Sequence, residues 1–161
     1  MKSKSWKAYL LGVAFTEVVG VLSALLTREG TKVYNTAMIK PLLSPPPLAF
    51  PIAWTILYAL MGIGAARVFL APVSRDRTKS LCLFLAQLAF NFSWSFIFFN
   101  FQLFGTAFFW LLALLALASW MTLSFRRVDL LSAALQIPYL LWLFFAGYLS
   151  FSVWMLNGAE L

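Results

Sequence analysis

The sequence predicts an all-α fold: an integral membrane bundle of five transmembrane helices, forming a single domain over residues 1–161. Three observations carry that expectation. Hydrophobic residues make up 63% of the chain and charged residues 11%, whereas a soluble domain holds about 25% charged residues. A soluble fold of this length could not hide so much apolar surface. Five apolar runs reach the roughly 20 residues a helix needs to cross a bilayer. Finally, the cations gather at alternate ends of those runs.

The first span, 8–26, follows Lys2, Lys4 and Lys7 and so invites comparison with a signal peptide. Its apolar run outlasts the usual ~7–15-residue core of such peptides and carries Glu17, which favours a retained helix. The segment 27–50 holds Pro41 and the run Pro45-Pro46-Pro47. Consecutive prolines cannot continue a helix and favour an extended conformation, so this segment reads as a stiff lid loop. The second span, 51–70, includes Gly62 and Gly64, which suit close helix approach. The third, 80–99, follows a basic connector, and the fourth, 106–125, follows a short one. The fifth, 130–152, begins after the basic turn Arg126-Arg127-Val128-Asp129. Pro138 within it either kinks the helix and opens room beside Trp142 or is inert. None of the runs alternates with a period of two, which excludes a closed barrel. Short turns imply antiparallel neighbours and an up-down bundle.

Threading five spans puts Lys2, Lys4, Lys7, Arg67, Arg75, Arg77, Lys79, Arg126 and Arg127 on the side of the N-terminus, and only Arg28, Lys32 and Lys40 on the other. The positive-inside rule then makes the N-terminus cytoplasmic and sets the proline loop and C-terminus outside. Topology accounts for the net charge of +7, and no nucleic-acid partner is expected, since the cations flank helices.

Histidine is absent and Cys82 is the lone cysteine, which removes His-based triads, His-ligated haem, disulfides within the chain and thiolate cages. The five acidic residues are Glu17, Glu29, Asp76, Asp129 and Glu160, too few and too scattered for a carboxylate metal site. No metal and no resident cofactor are expected. Glu17 falls mid-span without a cation at its depth. It reads either as a proton-path residue or as a neutral acid bonded to a serine, threonine or carbonyl.

Aromatic residues are abundant: seven Trp, five Tyr and seventeen Phe. At a 1.5 Å rise per residue, Asn91 and Trp142 each lie roughly 12 Å below the surface that carries the proline loop. Trp94 lies one turn nearer that surface. Trp54 and Tyr58 share a face roughly 4–10 Å below it, and Trp110 falls in the same half. Gln87, Asn91 and Ser95 share a face at i, i+4, i+8, and Ala146, one turn from Trp142, would leave room. Two readings stay open. One is a flat aromatic cavity beneath the loop, rimmed by Arg28, Lys32 and Lys40, which would attract ligand carboxylates. The other is packing, interhelical hydrogen bonds and interfacial belts, the belt being the better reading for Trp6 and Trp154.

Three ordered motifs carry a family resemblance. They are Lys40-Pro41-Leu42-Leu43-Ser44-Pro45-Pro46 leading to Phe50 and Trp54-Thr55-Ile56-Leu57-Tyr58-Ala59-Leu60-Met61-Gly62; Gln87 to Ser95 with Ile97-Phe98-Phe99; and Pro138-Tyr139-Leu140-Leu141-Trp142 with Phe145-Ala146-Gly147-Tyr148-Leu149 and Trp154 to Asn157. The chain resembles the translocator protein family, also called tryptophan-rich sensory protein or peripheral-type benzodiazepine receptor, in a bacterial form. The resemblance implies five spans, a homodimer, and a pocket under the first loop. It implies ligands such as protoporphyrin IX and benzodiazepine- or isoquinoline-type drugs. The family's pocket positions correspond to Tyr34, Trp54, Asn91, Trp94, Trp142 and Ala146; depth adds Tyr58 and Trp110. Trp54 and Trp142 match the two tryptophans tied to porphyrin breakdown. Leucines near Leu43 and Leu48 replace loop tryptophans, Trp110 replaces an aspartate, and Phe151 and Met155 occupy the region of the animal cholesterol pattern, which gives cholesterol little support.

Three functions follow as expectations: a membrane receptor or sensor for porphyrins and planar hydrophobic ligands; light-dependent oxidative degradation of protoporphyrin IX, needing no acid–base pair; and a transporter of tetrapyrrole or of a proton-coupled solute through Glu17.

Overall fold

A computed structural model describes residues 2–158, with side chains from residue 5 onward. The side chains of Lys2 and Lys4, and Glu160, lie outside the described residues. Helices account for nearly all of the chain, and among the described residues there is no strand. Five helical stretches are long and apolar enough to cross a membrane: Ser5–Leu26, Ala49–Leu70, Arg75–Asn100, Phe104–Val128 and Leu130–Asn157.

The elements run α1 (Lys2–Leu26), α2 (Arg28–Ala37), α3 (Ala49–Leu70), α4 (Arg75–Ser95), a π-helical turn (Phe96–Asn100), α5 (Phe104–Val128), α6 (Leu130–Ala134) and α7 (Ile137–Asn157). Three boundaries correct the sequence reading. The third span begins at Arg75, where Ser74 caps α4 by accepting from the Arg77 N–H at 3.1 Å. Its last turn widens into the π segment. The fifth span is broken at Leu135-Gln136, with Pro138 in the first turn of α7; there a missing N–H costs least.

The lid is also corrected. It is not an extended strap over 27–50, because Arg28–Ala37 is helical. No proline lies within that stretch, and Lys32 pairs with Glu29 one turn away at 2.8 Å. Only residues 38–48 are irregular, and turns closed by Ser44 N–H to Pro41 O and Ala49 N–H to Pro46 O interrupt them.

Contacts at the helix ends bear out the up-down path. Arg67, at the end of α3, forks onto Asp129 between α5 and α6, with Nε to Oδ2 at 2.7 Å and Nη2 to Oδ1 at 3.0 Å. At the other end, the Asn157 amide grips the lid backbone, accepting from Ile39 N–H at 2.8 Å and donating to Ile39 O at 2.9 Å. Between these ends, α1 lies closely on α3 where Gly12 meets Gly62, and Thr16 Oγ1 donates to Tyr58 O at 2.7 Å. The core proper runs through α3, α4, α5 and α7 around Met61, Leu111, Met121, Phe125 and Tyr139.

Asp129 also caps α6, its Oδ2 accepting from Ser132 N–H at 2.8 Å. The Arg67 guanidinium and the Ser132 donors hold its carboxyl well below the ordinary aspartate value of 3.8. A carboxylate held low stabilises fully above its unfolded value and loses that contribution as pH falls through the folded one. Asp129→Ala is therefore expected to cost about 2 kcal/mol at neutral pH. In thermal unfolding of the detergent-solubilised protein, the gap between wild type and variant should narrow as pH drops below about 4.

Candidate functional site

A cavity of about 440 Å³ opens between α1, α3, α4 and α7, beneath α2 and the end of the lid. Its size falls in the range of about 300–1,000 Å³ usual for ligand pockets. Each wall follows from local structure. Pro51 lies in the first turn of α3, and Phe50, Trp54 and Tyr58, at i, i+4, i+8, fall on its inner face. Trp54 packs on Tyr58 with ring centroids 5.4 Å apart. On α7, Trp142 meets Trp54 edge-on at 6.2 Å and Phe50 at 5.9 Å, and Ala146 one turn later leaves the gap open. On α4, Trp94 stacks on Phe98 at 5.0 Å, and its indole N–H donates to Ala107 O at 3.1 Å. That bond fixes the ring, and the π-helical turn brings Phe99 into the same wall.

The roof comes from α2. Tyr34 is buried edge-on against Phe98 at 5.4 Å and Phe99 at 5.6 Å, and burial pushes its phenol up. Arg28 and Lys32 line the mouth. The hydrogen bond from Lys32 holds the exposed Glu29 carboxyl below its usual range. Lys40 is not in the lining: it sits over the Tyr34 ring at 5.6 Å and donates to Asn35 Oδ1 at 3.0 Å, steadying the roof from outside.

Tyr34, Trp54, Tyr58, Asn91, Trp94, Trp142 and Ala146 thus line one space. Trp110 does not. It stacks on Phe90 at 4.6 Å and donates to Phe90 O at 3.1 Å, tying α5 to α4 on a different face. It shares the depth of the cavity but not its direction around the helix. Gln87 and Asn91 serve between helices, as the packing reading held, but Asn91 also reaches the cavity. Glu17 is half-buried and makes no hydrogen bond or ion pair among the described residues, so the bonded neutral acid finds no partner here. Trp6 is largely exposed, but Trp154 is half-buried and packs on Phe108 and Phe109, which makes it more than a belt residue.

One wall escaped the sequence reading: Gly20, Ser23 and Ala24 of α1, with Thr27 in the turn that follows. The signal was present as three small residues of the helix, Gly20, Ser23 and Ala24, spaced i, i+3, i+4 on one face. Among the described residues, no group of His, Cys, Asp or Glu is placed to hold a metal ion.

Five apolar spans, four of which enclose an indole-walled, ligand-sized chamber, define an integral, multi-pass helical membrane protein. The chain belongs to the TspO/MBR family, which it matches over residues 12–155. It is 33% identical over 145 residues to Tryptophan-rich protein TspO of Chlorobaculum tepidum, covering 86% of this chain and 89% of that one. Against Tryptophan-rich sensory protein of Cereibacter sphaeroides, identity is 35% over 152 residues, or 94% and 92% of the two chains. Against Translocator protein of Bos taurus it is 34% over 141 residues, or 86% and 83%.

Proposed function

We propose that this protein is a membrane receptor or sensor that takes up protoporphyrin IX and related planar hydrophobic ligands, benzodiazepine- and isoquinoline-type drugs among them, in the cavity beneath the first loop. The observation that carries this reading is the convergence of three indoles, Trp54, Trp94 and Trp142, from three helices on one space that Ala146 leaves open. Ring faces and edges complement a flat π-system, and Arg28 and Lys32 at the mouth suit ligand carboxylates. In the same reading the protein works as a homodimer in a bacterial cell membrane, with its N-terminus cytoplasmic and its lid outside, as the nine-to-three distribution of cations supports. Titrating protoporphyrin IX into the detergent-solubilised protein is expected to quench tryptophan emission saturably. Trp142→Phe should weaken the apparent affinity by about tenfold, because a single benzene ring replaces the larger, electron-rich indole on the wall. Linear, non-saturating quenching that ignores the substitution would contradict the proposal.

A second reading, light-dependent degradation of the bound porphyrin with dissolved dioxygen as the oxidant, is favoured by the edge contact of Trp54 and Trp142 at 6.2 Å, since a porphyrin bound in this cavity would have two electron-rich indoles beside it. Illuminated loss of the porphyrin spectrum should then vanish in the Trp54→Phe, Trp142→Phe double variant. Loss that persists there, at matched ligand occupancy, would refute it.

A further inference from the structure

Below the cavity, buried side chains form one hydrogen-bonded chain. The Tyr58 hydroxyl donates to Asn91 Oδ1 at 3.1 Å. Asn91 Nδ2 donates to the Tyr139 oxygen at 2.9 Å, and the Tyr139 hydroxyl donates to Gln87 Oε1 at 2.9 Å. Gln87 Nε2 then meets Met61 Sδ at 3.7 Å. None of the five residues is more than 5% exposed.

A chain of hydroxyls and amides can in principle run either way, each reversal turning the amides over. Here the last member decides. A thioether sulfur has lone pairs and no hydrogen, so it can only accept. An amide oxygen turned toward it would set two acceptors against each other inside a buried site, where the mismatch is costly. The Gln87 nitrogen therefore belongs on Met61, which puts the Gln87 oxygen on Tyr139. The single hydroxyl hydrogen of Tyr139 goes to Gln87, so Asn91 must offer its N–H to Tyr139 and its oxygen to Tyr58. The one hydroxyl hydrogen of Tyr58 is thereby committed too.

We infer that Met61 fixes the direction of this chain, so that Tyr58, on the cavity wall, presents its oxygen to the ligand as an acceptor with no hydrogen to give, and the part of the cavity at Tyr58 favours a planar ligand edge that carries an N–H or O–H. The inference rests on the cavity being a ligand site and adds what that ligand must present. Met61 acts as a positioning residue: it does not line the cavity.

The test compares carbazole with dibenzofuran, tricycles of nearly the same shape that differ in a ring N–H against a ring oxygen. Binding is measured by equilibrium dialysis of the full chain in detergent, with empty micelles as the reference for partitioning. Wild type should prefer carbazole by about fivefold to tenfold, the size of one buried hydrogen bond. Tyr58→Phe should bring the ratio to about one. Met61→Leu leaves the walls in place but frees the chain to reverse, and should pull the ratio toward one as well; a purely structural role for Met61 would move both affinities and not their ratio. Equal binding of the two probes to wild type overturns the inference and leaves the cavity reading standing, as does a ratio that either variant leaves unchanged. A preference for dibenzofuran overturns it too, because the second amide hydrogen of Asn91 would then be what addresses the ligand. Binding of neither probe overturns both readings.

Discussion

Ala146→Phe is expected to lower affinity for protoporphyrin IX by about 100-fold, an effect of roughly 2.7 kcal/mol, while the protein still folds. Ala146 lies one helical turn from Trp142 on the same wall, and its methyl group is what keeps the space opposite Phe50 and Trp54 open. A benzyl group there would occupy volume that the ligand ring needs and would itself pack on the indoles. Because it projects into empty space, it avoids the clashes that make added bulk costly in a filled core. Titration of porphyrin against tryptophan emission, run beside thermal unfolding, separates the two effects. Near-native affinity in a folded Ala146→Phe variant would place the ligand elsewhere.

Gly62→Leu should have the largest effect on stability. A Cβ at Gly62 would lie 2.6 Å from the Gly12 carbonyl oxygen and 2.7 Å from Thr16 Oγ1. The nearer obstacle is backbone on the facing helix, so no rotamer change relieves it. The α1–α3 crossing would have to open, stretching the Thr16 to Tyr58 O bond of 2.7 Å. Overpacking of this kind costs about 3 kcal/mol. Gly20, Ser23 and Ala24 on α1 line the cavity, so separating α1 from α3 also removes a wall. Unfolding in detergent should show a lowered midpoint together with weakened ligand binding. A midpoint within error of wild type would mean that the two helices do not meet at these glycines.

Most of the bundle was legible because lipid imposes a simple rule: a span must be apolar for about 20 residues and satisfy its own backbone. Gly62 was legible for a related reason, since a residue without a side chain inside an apolar helix marks close approach. Helix α2 was not. Its sequence is polar and too short to span, and the prolines that follow it drew the whole segment toward an extended reading. The amphipathic clue was there: Tyr34 is buried, while the Glu29–Lys32 pair lies in solvent. Trp110 shows the limit of depth as a guide. Counting along a helix gives height, but the direction a side chain takes around the axis depends on which neighbour it meets, and Phe90 holds Trp110 away from the cavity. The α1 wall was missed because small residues speak by what they omit. Gln87 and Asn91 were visible as one polar face, but their order of donation depends on Met61, a residue of another helix.

The seven tryptophans offer the most direct test of where a planar ligand sits. Fluorine spectra of 5-fluorotryptophan-labelled protein, assigned with single Trp→Phe variants, report each indole separately as protoporphyrin IX is added. Ring-current shifts should concentrate on Trp54, Trp94 and Trp142, with Trp6, Trp110 and Trp120 close to their unliganded positions. Shifts confined to Trp6, Trp120 or Trp154, with those three unmoved, would put the porphyrin on the lipid-facing surface and contradict the chamber as its site.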